Sequence, residues 1–146
     1  MSEQFWQRLN QITGIICIGV IFGITAFLAS LEIKDLDLWL HLKMGKYISQ
    51  DLHVPGHDVL SATIAGKPWV NHEWLFQVVI YQVWKFFDFN GLINMQIGVV
   101  FLTLMILLLI GYSKERQFLT AFALLAIVFV YQSRFTIRPD IFSLLF

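Results

Sequence analysis

Three stretches of the chain carry no charged side chain: residues 12–31, 92–112 and 118–133. A fourth apolar run opens at Ile141, directly after Pro139-Asp140. At ~1.5 Å per residue, the first run is about 30 Å long as a helix, which matches the hydrocarbon thickness of a bilayer. The pattern predicts transmembrane spans over 12–31, 92–112 and 118–133. Residues 140–146 read as the start of a further span cut short at Phe146. The first run is longer than the apolar core of a cleavable signal peptide and predicts a retained anchor.

Two other stretches alternate with the helical period instead of being apolar throughout. In "NHEWLFQVVIYQVWKFFD", residues 71–88, a turn of 100° per residue puts Glu73, Gln77, Tyr81, Trp84 and Asp88 on one arc. Leu75, Phe76, Val79, Ile80, Val83, Phe86 and Phe87 fill the opposite arc. A lipid-surrounded span would not keep a polar stripe along its whole length, so this pattern predicts a helix lying in the membrane surface. Pro68 and Asn71 supply its start and Asn90-Gly91 its stop. In "DLDLWLHLKMGKYI", Lys43, Lys46 and Gln50 share one arc, while Leu38, Leu42, Gly45 and Ile48 lie away from them. Residues 37–50 therefore predict a second surface helix, with Trp39 and Tyr47 suited to the headgroup layer. Asp37 and His41 fall on its apolar side. The stretch between the two helices contains Pro55-Gly56 and Gly66-Lys67-Pro68 and reads as a turn-rich loop.

Charge orients this layout. The turn "SKERQ" between the last two full spans is basic and belongs in the cytoplasm by the positive-inside bias, and Arg8 puts the N-terminus on the same side. Both conditions hold if 71–88 lies flat and 32–91 forms an external loop. The fold class expected is an all-α membrane protein, a single module of three to four transmembrane helices with two interfacial juxtamembrane helices in its first external loop.

Composition narrows the function. The chain is 58% hydrophobic and only 14% charged, with a formal net charge of +0, which leaves no concentrated basic face for a nucleic acid. Cys17 is alone within an apolar run, which excludes a disulfide framework. Phosphate loops and zinc spacings are absent, and His53, His57 and Asp58 match no standard metal set.

The polar residues that need a reason are few. Asp37 and His41 are one helical turn apart and face away from the lysines. Asp35 or Asp37 would serve as a helix N-cap; alternatively Asp37 is a carboxylate aimed into a cavity, with His41 as its companion base. Glu73 suits a first helical turn through the helix dipole, or the same site. Arg134 and Arg138 stand on the outer side, against the positive-inside bias; they either snorkel to the interface or clamp a phosphate.

The segments "DLWLHLKMGKYI", "VPGHDVLSATIAGKPWVNHEWL" and "RFTIRPDIFSLL" resemble the N-terminal part of GT-C type integral membrane glycosyltransferases. The likeness is nearest to bacterial membrane proteins carrying D-x-W-x-H-L, G-x-x-W-x-x-H-E-W-L and R-F-x-x-R-P. It implies a first span, an external loop with two juxtamembrane helices, and further spans. It also implies Asp37 as the catalytic or metal-linked carboxylate, helped by His41 or Glu73, with Asp140 as a second acidic position and no cofactor beyond a divalent metal. Further implications are a polyprenyl-phosphate sugar as donor, bound from the outer face of the bacterial inner membrane, with Arg134 and Arg138 on its phosphate. The family has many more spans, so the chain reads as a fragment or as completed by a partner membrane subunit. The competing expectation is a non-enzymatic scaffold that binds lipid or a partner, for which Gly19 and Gly23 supply a small-xxx-small pair.

Overall fold

The computed structural model describes residues 3–31, 35–63 and 65–145. Among them the architecture is all-helical: α1 (Glu3–Ala29), α2 (Leu38–Asp51), α3 (Trp74–Gly111) and α4 (Gln117–Tyr131), followed by 3₁₀ turns at Gln132–Arg134 and Pro139–Leu145. Three helical segments, Glu3–Ala29, Trp74–Gly111 and Gln117–Arg134, are long and apolar enough to cross a membrane. Their outward side chains fit that reading. Ile15, Ile16, Phe27, Leu109, Ile110, Phe122 and Phe129 are exposed, a surface that hydrocarbon tolerates and water does not.

The chain divides into two compact units. The first contains residues 1–33, 94–136 and 140–146. Its core is formed by Ile18, Ile21, Val100, Leu104, Leu124 and Val128, with Ala29, Phe135 and Ile141 closing one end. In lipid, such contacts hold through close packing, not through escape from water. Gly14 permits one of them: a Cβ there would overlap the side-chain amide of Gln117. The buried polar groups mostly serve helix ends. Gln96 Nε2 donates to the carbonyls of Ala29 (2.7 Å) and Phe135 (2.9 Å), and Thr120 Oγ1 donates to the carbonyl of Gly111 at 3.0 Å. These are carbonyls with no partner inside their own helix.

The second unit contains residues 34–93 and 137–139. Leu38, Leu42, Met44 and Ile48 of α2, Phe76, Ile80 and Tyr81 of α3, and Ile137 are buried in it. The lysine arc of α2 is exposed as the sequence predicts. The α2 helix begins one residue later than expected, with Asp37 at its N-cap position. It ends at Leu52, whose φ of 52° turns the chain out of the helix. The 52–73 loop is tied by Asp58 N–H to Lys67 O (2.9 Å), Gly66 N–H to Asp58 O (2.8 Å) and Trp69 N–H to Gly56 O (3.0 Å). Asp58 Oδ1 also accepts the N–H groups of Leu60 and Ser61. Bonds from Ser61 and these amides hold the Asp58 carboxyl below its ordinary range.

Two expectations shift. The helix predicted to stop at Asn90-Gly91 breaks slightly earlier: Trp74–Gly111 is two helices joined across a kink at Asp88, whose backbone lies at φ 57° and ψ −157°. Asp is among the residues that accept positive φ, and Asp88 Oδ1 accepts the N–H of Phe89, so it restarts the helix locally. Gly91 permits a close approach just after the kink, since a Cβ there would overlap the Cβ of Phe87. The polar arc of 71–88 also divides. Glu73 and Asp88 are exposed, but Gln77 and Tyr81 are buried.

Candidate functional site

Every polar group treated in this section except Arg134 and Asp140 belongs to the second unit. At its centre is Asp35, whose side chain is 1% exposed. Asp35 Oδ1 accepts the N–H of Asp37 at 3.0 Å, a local turn that precedes α2. Across 103 positions of sequence, Arg138 closes on the same carboxylate: Nε donates to Oδ2 and Nη2 to Oδ1 (3.2 Å). This is the two-pronged geometry that favours Arg over Lys. Ile137, fully buried, anchors the segment that delivers the guanidinium, and Pro139 disfavours helical backbone at Arg138. Hydrogen bonding from Arg138 is the main reason the Asp35 carboxyl lies below its ordinary value. Burial opposes it, while the Asp37 N–H and the charges of Arg138 and His41 add to it.

Asp37 departs from the predicted orientation. It was expected on the apolar side of α2, yet its side chain is 65% exposed, with Oδ2 4.0 Å from Arg138 Nη2. The helical wheel fails here because Asp37 is the N-cap, outside the first turn of the helix whose stripe is buried. His41, one turn further on, is buried as the wheel requires. Its ring meets Phe76 edge-on at 5.3 Å, Gln77 Nε2 at 3.4 Å from Nδ1, and Glu73 Oε2 at 3.6 Å from Nδ1. Glu73 is half exposed at 48%. Behind the ring, Asn71 Nδ2 donates to Gln77 Oε1 at 2.6 Å, and the Glu73 N–H donates to Asn71 Oδ1 at 3.2 Å.

A glycine brings these groups together. A Cβ on Gly45 would overlap the carbonyl of Gln77 and the Cβ of Tyr81. Gly45 is four residues from His41 on the same face of α2, so the close approach it permits sets Gln77 against the imidazole. Gly45, Asp35, Asn71 and Gln77 were absent from the sequence-based site. Each left a signal: a glycine in a helix interior that costs about 1 kcal/mol relative to Ala, a doubled acid, an Asn before a helix, and a Gln within an otherwise apolar run.

Arg134 and Asp140 belong to the first unit and pair with each other at 2.9 Å, both substantially exposed. Among the described residues, no three His, Cys, Asp or Glu side chains group in a way that could hold a metal ion. Asp35 and Asp37 also share a guanidinium, whose charge opposes a cation. The site therefore does not fit a resident divalent metal.

No family pattern, curated protein or solved structure matches the chain.

Proposed function

We propose that the chain is a module of an integral membrane glycosyltransferase of GT-C type, taking its sugar from a polyprenyl phosphate at the outer face of a bacterial inner membrane. The observation that carries this reading is convergence. The three motifs behind the resemblance supply Asp37 and His41, then Asn71 and Glu73, then Arg138, and these belong to one compact unit, where Asp35 holds Arg138. Nothing in the packing of apolar helices requires that.

In this reading Asp37 is the proton acceptor. It is exposed and stands beside a cation, so a substrate hydroxyl can reach it. The acceptor hydroxyl gives its proton to Asp37 as its oxygen bonds to the anomeric carbon. The bond from that carbon to the phosphate oxygen breaks, and the negative charge left on the polyprenyl phosphate is met by Arg138. Asp35 fixes Arg138 in place; it touches neither substrate. A base and a cationic clamp each supply roughly 10²–10⁴ in rate. Membranes from cells making the full protein with Asp37→Asn should lose transfer from a radiolabelled polyprenyl-phosphate sugar by about that factor. Unchanged transfer would remove the reading.

The same proposal places 32–91 outside, with α2 and the start of α3 at the membrane surface. Their exposed Trp39, Leu40, Trp74, Leu75 and Val79 suit the headgroup layer. With Cys17 replaced by Ser, a cysteine at Gly66 should react with an impermeant reagent from outside, and one at Ser113 should not. Labelling of both from one side would reject the topology.

One observation favours the scaffold reading. A Cβ on Gly19 or Gly23 meets nothing within 4 Å, so this pair on α1 is open to a partner helix.

A further inference from the structure

We infer that Asn71 and Gln77 are positioning residues that hold neutral His41 as its Nε2–H tautomer, and that Nδ1 exchanges Gln77 for Glu73 when the ring takes up a proton. The inference goes beyond sugar transfer, because it concerns the proton state of one ring and holds whatever the substrate.

The direction of each hydrogen bond follows from a single fixed donor. The backbone N–H of Glu73 can only donate, so the Asn71 atom 3.2 Å from it is the oxygen. The other end of the Asn71 amide is then the NH₂ group, which donates to Gln77 at 2.6 Å, so the Gln77 atom there is its oxygen. The remaining Gln77 group is its NH₂, which faces His41 Nδ1 at 3.4 Å. A donor facing Nδ1 requires a lone pair on it, and in a neutral imidazole the proton must then be on Nε2. Three residues with 2–6% exposure make this chain, where an unmade hydrogen bond is costly.

Protonation reverses the polarity of one link. With a proton on Nδ1, the ring and the Gln77 NH₂ are two donors face to face. Glu73 Oε2, 3.6 Å from the same nitrogen, is the adjacent acceptor, and a rotamer change of this half-exposed carboxylate shortens the gap. Charged groups of both signs surround the ring. Glu73 faces it from the start of α3, Asp37 precedes it by one turn of α2, and the negative charge of Asp35, which feels His41, is offset by Arg138 from the 137–139 segment. Gly45 fixes the α2–α3 approach and leaves the relay little room to slip. His41 is thus a buried ring whose Nδ1 has a half-exposed carboxylate, Glu73, beside it.

The test is a two-bond ¹⁵N–¹H correlation on the full chain in detergent micelles, labelled with ¹⁵N-histidine and assigned with His41→Gln. Above the titration of the ring, His41 should show an unprotonated Nδ1 and a protonated Nε2. Gln77→Leu removes the donor and leaves Glu73 as the neighbour of Nδ1, so the tautomer should change to Nδ1–H. Glu73→Gln should keep the Nε2–H tautomer and move the His41 titration to lower pH. Observation of the Nδ1–H tautomer in the unaltered protein would overturn the inference without any variant, so loss of folding in Gln77→Leu does not shield it. A Glu73→Gln titration that does not move, or moves upward, would remove the partner exchange. None of these readouts depends on transferase activity, so they separate this inference from the sugar-transfer proposal.

Discussion

In the unit built on α1, α4 and residues 94–111 of α3, buried polar side chains complete the backbone. Gln96 serves the carbonyls of Ala29 and Phe135, Thr120 serves Gly111, and Thr25 bonds Ile21 O four residues back at 2.8 Å. In the other unit the buried polar side chains serve one another. Arg138 closes on Asp35, Asn71 bonds Gln77, and Gln77 bonds His41. The first pattern is what a hydrocarbon solvent imposes, since an unpaired carbonyl there has no water to turn to. The second costs ordering and desolvation beyond the two backbone N–H groups that Asp35 and Asn71 also serve, and a buried ion pair seldom adds stability over apolar packing. The contrast teaches where to look for chemistry: in the unit whose polar groups bond beyond what the backbone needs.

Substitutions in the two units should therefore fail differently. The largest loss is expected at Gly45. Gly45→Ala drives a methyl into the backbone carbonyl of Gln77, which cannot swing aside as a side-chain tip can. Overpacking against backbone should cost about 3 kcal/mol or more. Thermal unfolding of the purified chain in detergent measures it, and His41 should lose its tautomer preference at the same time. A stable Gly45→Ala protein with His41 unchanged would break the argument that this approach sets the relay.

Next is Gln96→Leu in the first unit. It keeps the volume roughly constant but orphans two carbonyls, at about 1–3 kcal/mol in all, since membrane reference states recover part of such losses. The comparison requires that this variant unfold more easily while transfer by the folded fraction is retained. A folded but inactive Gln96→Leu would blur the division between the units.

Arg138→Ala should cost about 1–2 kcal/mol, below the figure for a fully buried pair because the guanidinium is half exposed. The pH dependence has a definite sign. The folded-state pKa of Asp35 is depressed from 3.8, so the stabilisation is present above that value and is lost as pH falls through the folded-state value. Wild type and Arg138→Ala should thus differ at neutral pH and converge in acid, and Asp35→Asn should remove the convergence. A gap that widens in acid would contradict the ion pair.

Much of this was legible in advance, for reasons tied to particular residues. Uncharged runs announced α1, α4 and residues 92–112, because length and apolarity are properties of the chain alone. The α2 stripe of Leu38, Leu42, Met44 and Ile48 was legible because a regular helix converts spacing into direction. Asp37 was misplaced because it lies at a helix end, where that conversion stops. Asp35 was passed over as a cap; its role depends on Arg138, 103 positions away, and no local pattern encodes such a partner. Gln77 was assigned to a water-facing arc, whereas the face it occupies is the one Gly45 opens to α2. The break between the two helices of α3 was legible to within about two residues from Asn90-Gly91, and the residue that makes it is Asp88, with positive φ.

The smallest effect is expected at Gly19 and Gly23, and it sharpens the comparison by testing the outside of the first unit. A methyl at either position meets no atom within 4 Å, so neither glycine is needed for packing inside the unit. Each also carries the helix penalty of glycine, about 1 kcal/mol relative to Ala in water. Gly19→Ala and Gly23→Ala should accordingly leave unfolding within about 0.5 kcal/mol of wild type, or raise it slightly. The bulkier pair Gly19→Leu and Gly23→Leu should be tolerated as well, because the space is open. The informative quantity is association. If a partner helix packs on this face through close backbone approach, the leucines should abolish a crosslink formed in native membranes while the isolated chain stays folded. Intact crosslinking would assign the two glycines no role in assembly. A marked loss of stability in the isolated chain would show that α1 uses this face internally.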